Sequence, residues 1–212
     1  MNDLITIASS ALPDTSRVIA FRGTEALSSP YEIEIFVALS NNAGEAVDLG
    51  DSIGARATLT LDRTSDKLPP FHFAGVLASV ELLHELDGYS LLRAVLVPKL
   101  WLLSLSKQSR IFTKKALPDI IKDVLEENGL SGDDYELRLG SYETEEHVCQ
   151  YRESDLDFLS RWLEREGIYY FFEHGESGEK LILCDNKAYE PDPVGEPVPY
   201  HPQLGSDRSA GQ

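Results

Sequence analysis

From Tyr31 the apolar residues fall on every second position. Tyr31, Ile33, Ile35, Val37 and Leu39 take one face and Glu32 and Glu34 the other, the period of a half-buried strand. Residues 17–25 read as the strand before it. Ala55, Ala57, Leu59 and Leu61 alternate with Arg56, Thr58, Thr60 and Asp62 to give the next, beyond a turn-rich stretch at 41–51. After a polar turn ending in Pro69-Pro70, the run Phe71, Phe73, Gly75, Leu77, Val80, Leu82 and His84 predicts a long strand, bent near Gly75. Asp87-Gly88 is a two-residue hairpin signal, and residues 89–97 return as the partner strand until Pro98 stops it. Short turns and no intervening helix point to a small β-barrel or sandwich over residues 1–104.

Beyond Pro98 the period changes. Residues 100–105 make a short apolar connector containing Trp101. Residues 113–128 predict a helix with Ile120, Ile121, Val124 and Leu125 on one side, Gly129 at its stop, and a regular part starting with Pro118 at N1. Strands are expected at 135–139, 147–151, 168–173 and 180–184, with residues 174–179 as a hairpin loop. Residues 105–187 therefore read as an α+β unit, two helices packed on a small sheet, which makes the whole chain α+β. Residues 188–212 carry Pro191, Pro193, Pro197, Pro199 and Pro202 and end in GSDRSAGQ, the composition of an extended or disordered linker.

The densest signal is CQYRESDLDFLSRWLEREGIYYFFEH, residues 149–174. Ser154 sits at an N-cap position with Asp157 placed to close a capping box. Glu153, Asp155 and Asp157 put negative charge at the positive end of the helix dipole. Leu156, Leu159 and Leu163 share one stripe with Phe158 and Trp162 beside it, opposite Ser160, Arg161, Glu164 and Arg165. Gly167 supplies the left-handed C′ position, and Ile168 the apolar C″ residue of a Schellman ending. The next strand puts Ile168, Tyr170 and Phe172 on one face and Tyr169 and Phe171 on the other. A strand apolar on both faces has something packed on each: the helix on one side, a second domain or another subunit on the other. Leu156, Phe158, Leu159, Trp162, Leu163, Gly167, Tyr169, Tyr170, Phe171 and Phe172 are thus the core and interface candidates.

Charge and chemistry narrow the function. A net charge of −17 argues against nucleic acid, whose phosphates need clustered Lys and Arg. The first residues have no signal-peptide pattern, and no run is apolar enough to span a bilayer. Cys149 and Cys184 read as buried free thiols in strands. The five histidines lack metal-ligand spacing and no CxxC occurs, so no metal or cofactor is expected. A Cys149–His174 dyad is a weaker reading than a buried thiol and a loop histidine. Glu143, Glu145 and Glu146 read as a solvated loop cluster rather than a hydrolytic pair, whose carboxylates stand roughly 5–9 Å apart across a cleft. No catalytic site is expected.

The run YRESDLDFLSRWLEREGIYYFFEH resembles the signature of the valine–glycine repeat protein G (VgrG) family. These are spike proteins of type VI secretion systems, related to baseplate hub proteins of contractile phage tails. PKLWLLSLSKQSRIFTKKALPDIIKDVL, FRGTEALSSPYEIEIFVAL and FAGVLASVELL are similar to the family as well. The resemblance covers essentially the whole chain but only the N-terminal hub part of the family architecture, so the chain is expected to be a truncated piece or an unusually short member. It implies a homotrimer of pseudo-six-fold symmetry that caps a hexameric tube of hemolysin-coregulated protein. Baseplate proteins and effector adaptors would be its other partners, and the target membrane is reached only mechanically. It implies assembly in the cytoplasm and exit through the contractile apparatus. It also implies an open sheet edge around residues 16–40, where absent segments complete the barrel. The alternatives are a hub of a phage tail or extracellular contractile injection system and, from another class, an envelope-acting hydrolase using Glu143, Glu145 or Glu146.

Overall fold

The alternating run at Tyr31 becomes an inner strand of a six-stranded sheet in the computed structural model, which describes residues 4–40, 50–63, 69–86, 88–175 and 178–186. Its strands are β1 (Ile5–Ser9), β2 (Arg17–Ala26), β3 (Ser29–Ser40), β4 (Arg56–Leu61), β5 (Phe71–Leu86) and β6 (Tyr89–Val97). They lie in the order β1-β4-β5-β6-β3-β2, every neighbouring pair antiparallel. Tyr31, Ile33, Ile35, Val37 and Leu39 are all buried, as period-two packing requires. β1 is an addition to the expected strands. Its five residues carry little pattern of their own and are ordered by pairing with β4, from Ile5↔Leu61 to Ser9↔Ala57. Among the described residues β2 pairs on one side only, with β3, which puts a sheet edge in the region where one was expected. The turn at 41–49, residues 64–68, Asp87, the hairpin tip at 176–177 and the linker from 187 on lie outside the described residues.

The bend in β5 is not at Gly75. Register shifts against β6 fall between Leu77 and Ser79 and between Leu82 and His84, so the bulges lie further along the strand. Gly75 serves a different need. A Cβ there would stand 2.1 Å from the Val97 carbonyl oxygen and 3.1 Å from the Tyr31 hydroxyl, so only glycine lets the strands approach.

A 3₁₀ turn (Lys99–Ser104) replaces the expected connector, with Leu100 and Leu103 buried. Then come β7 (Lys107–Ala116), α1 (Leu117–Glu127), β8 (Tyr135–Arg138), β9 (Thr144–Ser154), α2 (Asp155–Glu166), β10 (Tyr169–Gly175) and β11 (Gly178–Cys184). The helix expected from residue 113 begins only at Leu117, with Pro118 in its first turn. Residues 113–116 belong instead to β7, where Thr113 pairs with His147 and Ala116 with Thr144. A long-range ladder has overridden local helix propensity. Nor is there one small sheet. The strands divide into a three-stranded sheet β10-β11-β8, with β11 and β8 parallel, and a separate ribbon β7-β9. α2 rests on the 3₁₀ turn and β9, and α1 on β7. Most of the buried apolar residues form a contiguous cluster that runs from Ile7 in β1 to Leu183 in β11, and Val76, Val95 and Val97 form a smaller one on the other face of the first sheet. No helix among the described residues is long and apolar enough to cross a membrane.

β9 corrects two expectations. Val148 and Gln150 point inward, so the residue between them, Cys149, is exposed, while Cys184 is buried; both thiols are free. Glu145 and Glu146 lie in this strand and not in a loop, and Glu145 stands 3.9 Å from Arg165.

Asp155 stands in the first turn of α2, as expected, and has a second role: its side chain is buried in the protein. Its Oδ1 accepts from Arg110 Nη2 at 2.7 Å and Gln150 Nε2 at 2.8 Å, and its Oδ2 from Asn128 Nδ2 at 2.8 Å. Arg110 Nε also donates to Gln150 Oε1 at 2.7 Å. One buried carboxylate thereby joins β7, β9, the end of α1 and the start of α2, with its acceptor capacity well used. On the first sheet, Glu34 is caught between Arg22 and Arg93, with Arg93 Nε donating at 2.9 Å. Hydrogen bonds from Arg22 and then Arg93 hold its carboxyl down at about 2, against an ordinary 4.5.

Each network has its own test. Asp155→Ala strands the donors of Arg110, Gln150 and Asn128 and should cost about 3–5 kcal/mol by denaturant titration; a cost under ~1 kcal/mol would mean the network carries little. Because Glu34 is depressed in the fold, its contribution is full above about 4.5 and is lost as pH falls toward about 2. The stability gap between wild type and Glu34→Gln should therefore be constant near neutrality and close across that acid window, and an unchanged gap in acid would contradict the assignment.

Candidate functional site

The α2–β10 unit is built by its punctuation. Ser154 Oγ accepts the Asp157 amide at 3.0 Å. The same hydroxyl donates to Asp157 Oδ2 at 2.7 Å, so the box closes side chain to side chain rather than on the Ser154 amide. At the other end Gly167 has φ 71°. Its N–H reaches Glu164 O at 3.3 Å and the Ile168 N–H reaches Leu163 O at 2.8 Å, the paired bonds of a Schellman ending. Phe158, Leu159, Trp162 and Leu163 are buried, and Leu156 is half-buried at the margin. Phe158 stacks on Phe112 of β7 at 5.6 Å. On the outer side the Arg165 guanidinium lies 4.5 Å from the Trp162 ring, closing the helix over with a cation–π contact.

Gly167 sets the phase of β10, and the phase decides what each aromatic does. Ile168, Tyr170 and Phe172 are buried; Tyr169 and Phe171 are half-buried on the opposite face, their rings 6.5 Å apart and near parallel. The buried face meets the first sheet of the same chain. Phe172 stands edge-on to Tyr31 at 5.1 Å, Ser28 N–H donates to Tyr170 O at 2.8 Å, and Lys99 N–H donates to Glu179 Oε1 at 2.8 Å. The Tyr31 hydroxyl donates to the Ala74 carbonyl. Burial first, then the nearby Glu179 and Glu25 carboxylates, push its phenol far above the ordinary range, so it stays a donor. Burial also pushes Tyr170 up to about 12. His174 sits among the Tyr31, Phe71 and Phe73 rings with Nε2 at 2.9 Å from Glu25.

The outward face is different. Tyr169 and Phe171, with Phe172 below, line an apolar groove of about 530 Å³ whose opposite wall is Glu25, Ala26 and Leu27. Leu27 is 67% exposed, in the turn between β2 and β3. That turn was not singled out from the sequence, although an apolar residue at a tight turn between Ala26 and Ser28 is a usable sign. Tyr31 and His174 were missed as a contact for a plainer reason: their pairing is long-range. A second cleft includes Arg56, Lys99, Asp134, His174 and Glu179, and several of its charges are engaged, Lys99 with Asp134, Glu179 with the Lys99 amide and His174 with Glu25. The Cys149–His174 pair is not brought together. Cys149 faces out from the β7–β9 ribbon, and His174 is held by Glu25. No cluster with metal-binding composition occurs among the described residues. What the geometry offers is surfaces for packing: an aromatic groove and a sheet edge.

The chain is similar to known proteins in sequence and in fold. The type VI secretion system spike protein VgrG1b of Pseudomonas aeruginosa is 36% identical over 182 residues, 85% of this chain and 24% of that protein. VgrG1c of the same organism is 33% identical over 201 residues, 94% of this chain and 27% of that one. The chain thus spans about a quarter of the length of these curated relatives. Among solved structures, the E. coli c3393 protein superposes with TM-score 0.76 at 26% identity, over 88% of this chain and 51% of that one. It is described as a component of the type VI secretion system with structural similarity to the T4 bacteriophage tail proteins gp27 and gp5. With the phage tail baseplate hub (GPD) model matching residues 24–212, the chain belongs to that family and is related in sequence to the VgrG spike proteins.

Proposed function

We propose that this chain is the N-terminal hub portion of a type VI secretion spike, a structural component that trimerises, caps the inner tube and carries the puncturing spike. The observation that carries the reading is the superposition on the E. coli type VI secretion component over most of this chain. In this reading residues 1–104 form the barrel part of the hub and residues 105–187 the second hub domain. The tube beneath is a hexameric ring of hemolysin-coregulated protein. Three protomers, each supplying two similar domains, match its six-fold symmetry. Baseplate proteins and effector adaptors bind around the hub, which assembles in the cytoplasm and leaves with the contracting apparatus.

The physical properties suit a part that bears force rather than one that does bond chemistry. A contiguous close-packed core transmits load with little compression, and the buried polar network around Asp155 ties both helices to the β7–β9 ribbon. The family's own description, a phage tail baseplate hub, favours the same role in a phage tail or extracellular injection system as the second reading. Binding to the tube separates the two. By light scattering the chain should run as a trimer that stacks on rings of the type VI tube protein. A monomer at every concentration that ignores those rings would overturn the proposal, and a trimer that binds only phage tube protein would favour the second reading.

A further inference from the structure

The β7–β9 ribbon has one covered face and one bare face. Phe112, Val148 and Gln150 are buried, and the residues that alternate with them point out. Ile111 and Cys149 form a cross-strand pair on that outer face, with Tyr151 next along β9. Ile111 is 64% exposed and Tyr151 67%. Cations frame this apolar pair. β7 carries four of them and no carboxylate. Arg110 and Lys115 are engaged by Asp155 and Asp123, whereas Lys107, Lys114 and Arg152 are exposed and have no carboxylate partner among the described residues. Lys114 and Arg152 hold left-handed backbone, at φ 51° and 52°. Arg152 is the extra residue of a bulge opposite Gln108 and Ser109, and its guanidinium lies 5.4 Å from the Tyr151 ring. Cations at the edges of a ribbon serve to keep strands from adding to it, but they give no reason for a bare isoleucine and tyrosine between them.

The first sheet presents the complement. In the far part of β5, Leu82 is 48% exposed and Leu83 44%, and the exposed Glu81 and Glu85 flank them. Glu85 has no cation partner among the described residues, and Glu81 has Arg93 at 3.4 Å. We infer that the outer face of the ribbon in one copy seats against this stretch of β5 in a second copy, a contact that rests on the trimeric reading above and supplies its interface. Ile111 and Tyr151 then meet Leu82 and Leu83, while Lys114 and Arg152 meet Glu81 and Glu85. A two-fold contact of the ribbon with itself would instead set like charges against each other. A head-to-tail contact uses a different patch on each copy and closes into a ring when the rotation permits, as three identical copies require.

Cys149 lies in the middle of the ribbon patch and can report the contact, since Cys184 is buried. The wild-type chain is mixed with an isotopically heavy Cys149→Ser, Glu85→Cys chain, allowed to exchange subunits and treated with a short bismaleimide. Mass spectrometry should find light–heavy pairs that join Cys149 to the Glu85→Cys position. In light scattering, Lys114→Glu with Arg152→Glu should raise the concentration at which trimers dissociate by about tenfold or more, and adding Glu85→Lys should recover part of that loss. A trimer that persists without the crosslink and ignores these substitutions would overturn the inference and leave the hub reading intact. Crosslinks only between two Cys149 residues would assign the ribbon to a two-fold contact and overturn it as well. Shielding of Cys149 from maleimide only when rings of the tube protein are added would give the ribbon to the tube, with the same result. A chain that stays monomeric at every concentration would remove the trimeric reading itself, and this contact with it.

Discussion

Tyr31 is where the two parts of the molecule meet. Its ring is buried against Phe172 of β10, its hydroxyl donates to the Ala74 carbonyl in β5, and Gly75 has no Cβ, which makes room for that hydroxyl. A phenol sealed in such a place must keep a partner, and burial keeps it protonated so that it can donate. Moving β10 out of register by one residue would turn Phe172 to the opposite face and bring Phe171 or the charged Glu173 against Tyr31 in its place. The phase of β10 is therefore constrained from both ends, by Gly167 at its start and by Tyr31 across the seam.

Polar residues brace this apolar seam from several sides. Asp155 ties the helices and the β7–β9 ribbon together from a buried position. Glu34 joins β2 to β6 across β3 through Arg22 and Arg93. His174 and Glu25 fasten β10 to β2 beside the aromatic cluster. In a chain of net charge −17, Arg110 stands where the buried Asp155 carboxylate would otherwise lack a cation, and Arg22 and Arg93 do the same for Glu34. What remains on the surface is a groove and a sheet edge, the features of a part made to be packed against.

Much of this was legible before any coordinates. Period-two alternation located β3, and Ser154 and Gly167 bounded α2 because capping chemistry acts within a few residues. The inward and outward faces of β10 came from the same counting. The failures share a cause. β1 and β7 acquire their strand character from β4 and β9, far along the chain, and no local pattern of ITIAS or KQSRIFTKKA specifies that partner. Asp155 holds the first-turn position expected of it, but polarity in sequence does not reveal that this carboxylate meets Arg110, Gln150 and Asn128 inside. Cys149 was assigned to the interior as a cysteine, whereas its strand phase sends it out.

Through the Tyr31–Phe172 contact the two sheets share one cooperative core. Native-state hydrogen exchange in a denaturant series measures this most directly. The slowest amides of β3 and β6 and those of β10 and β11 should converge on the same opening free energy with the same denaturant slope. If β10 and β11 exchanged through a separate, lower-energy opening with a smaller slope, the seam would not be what holds the molecule together.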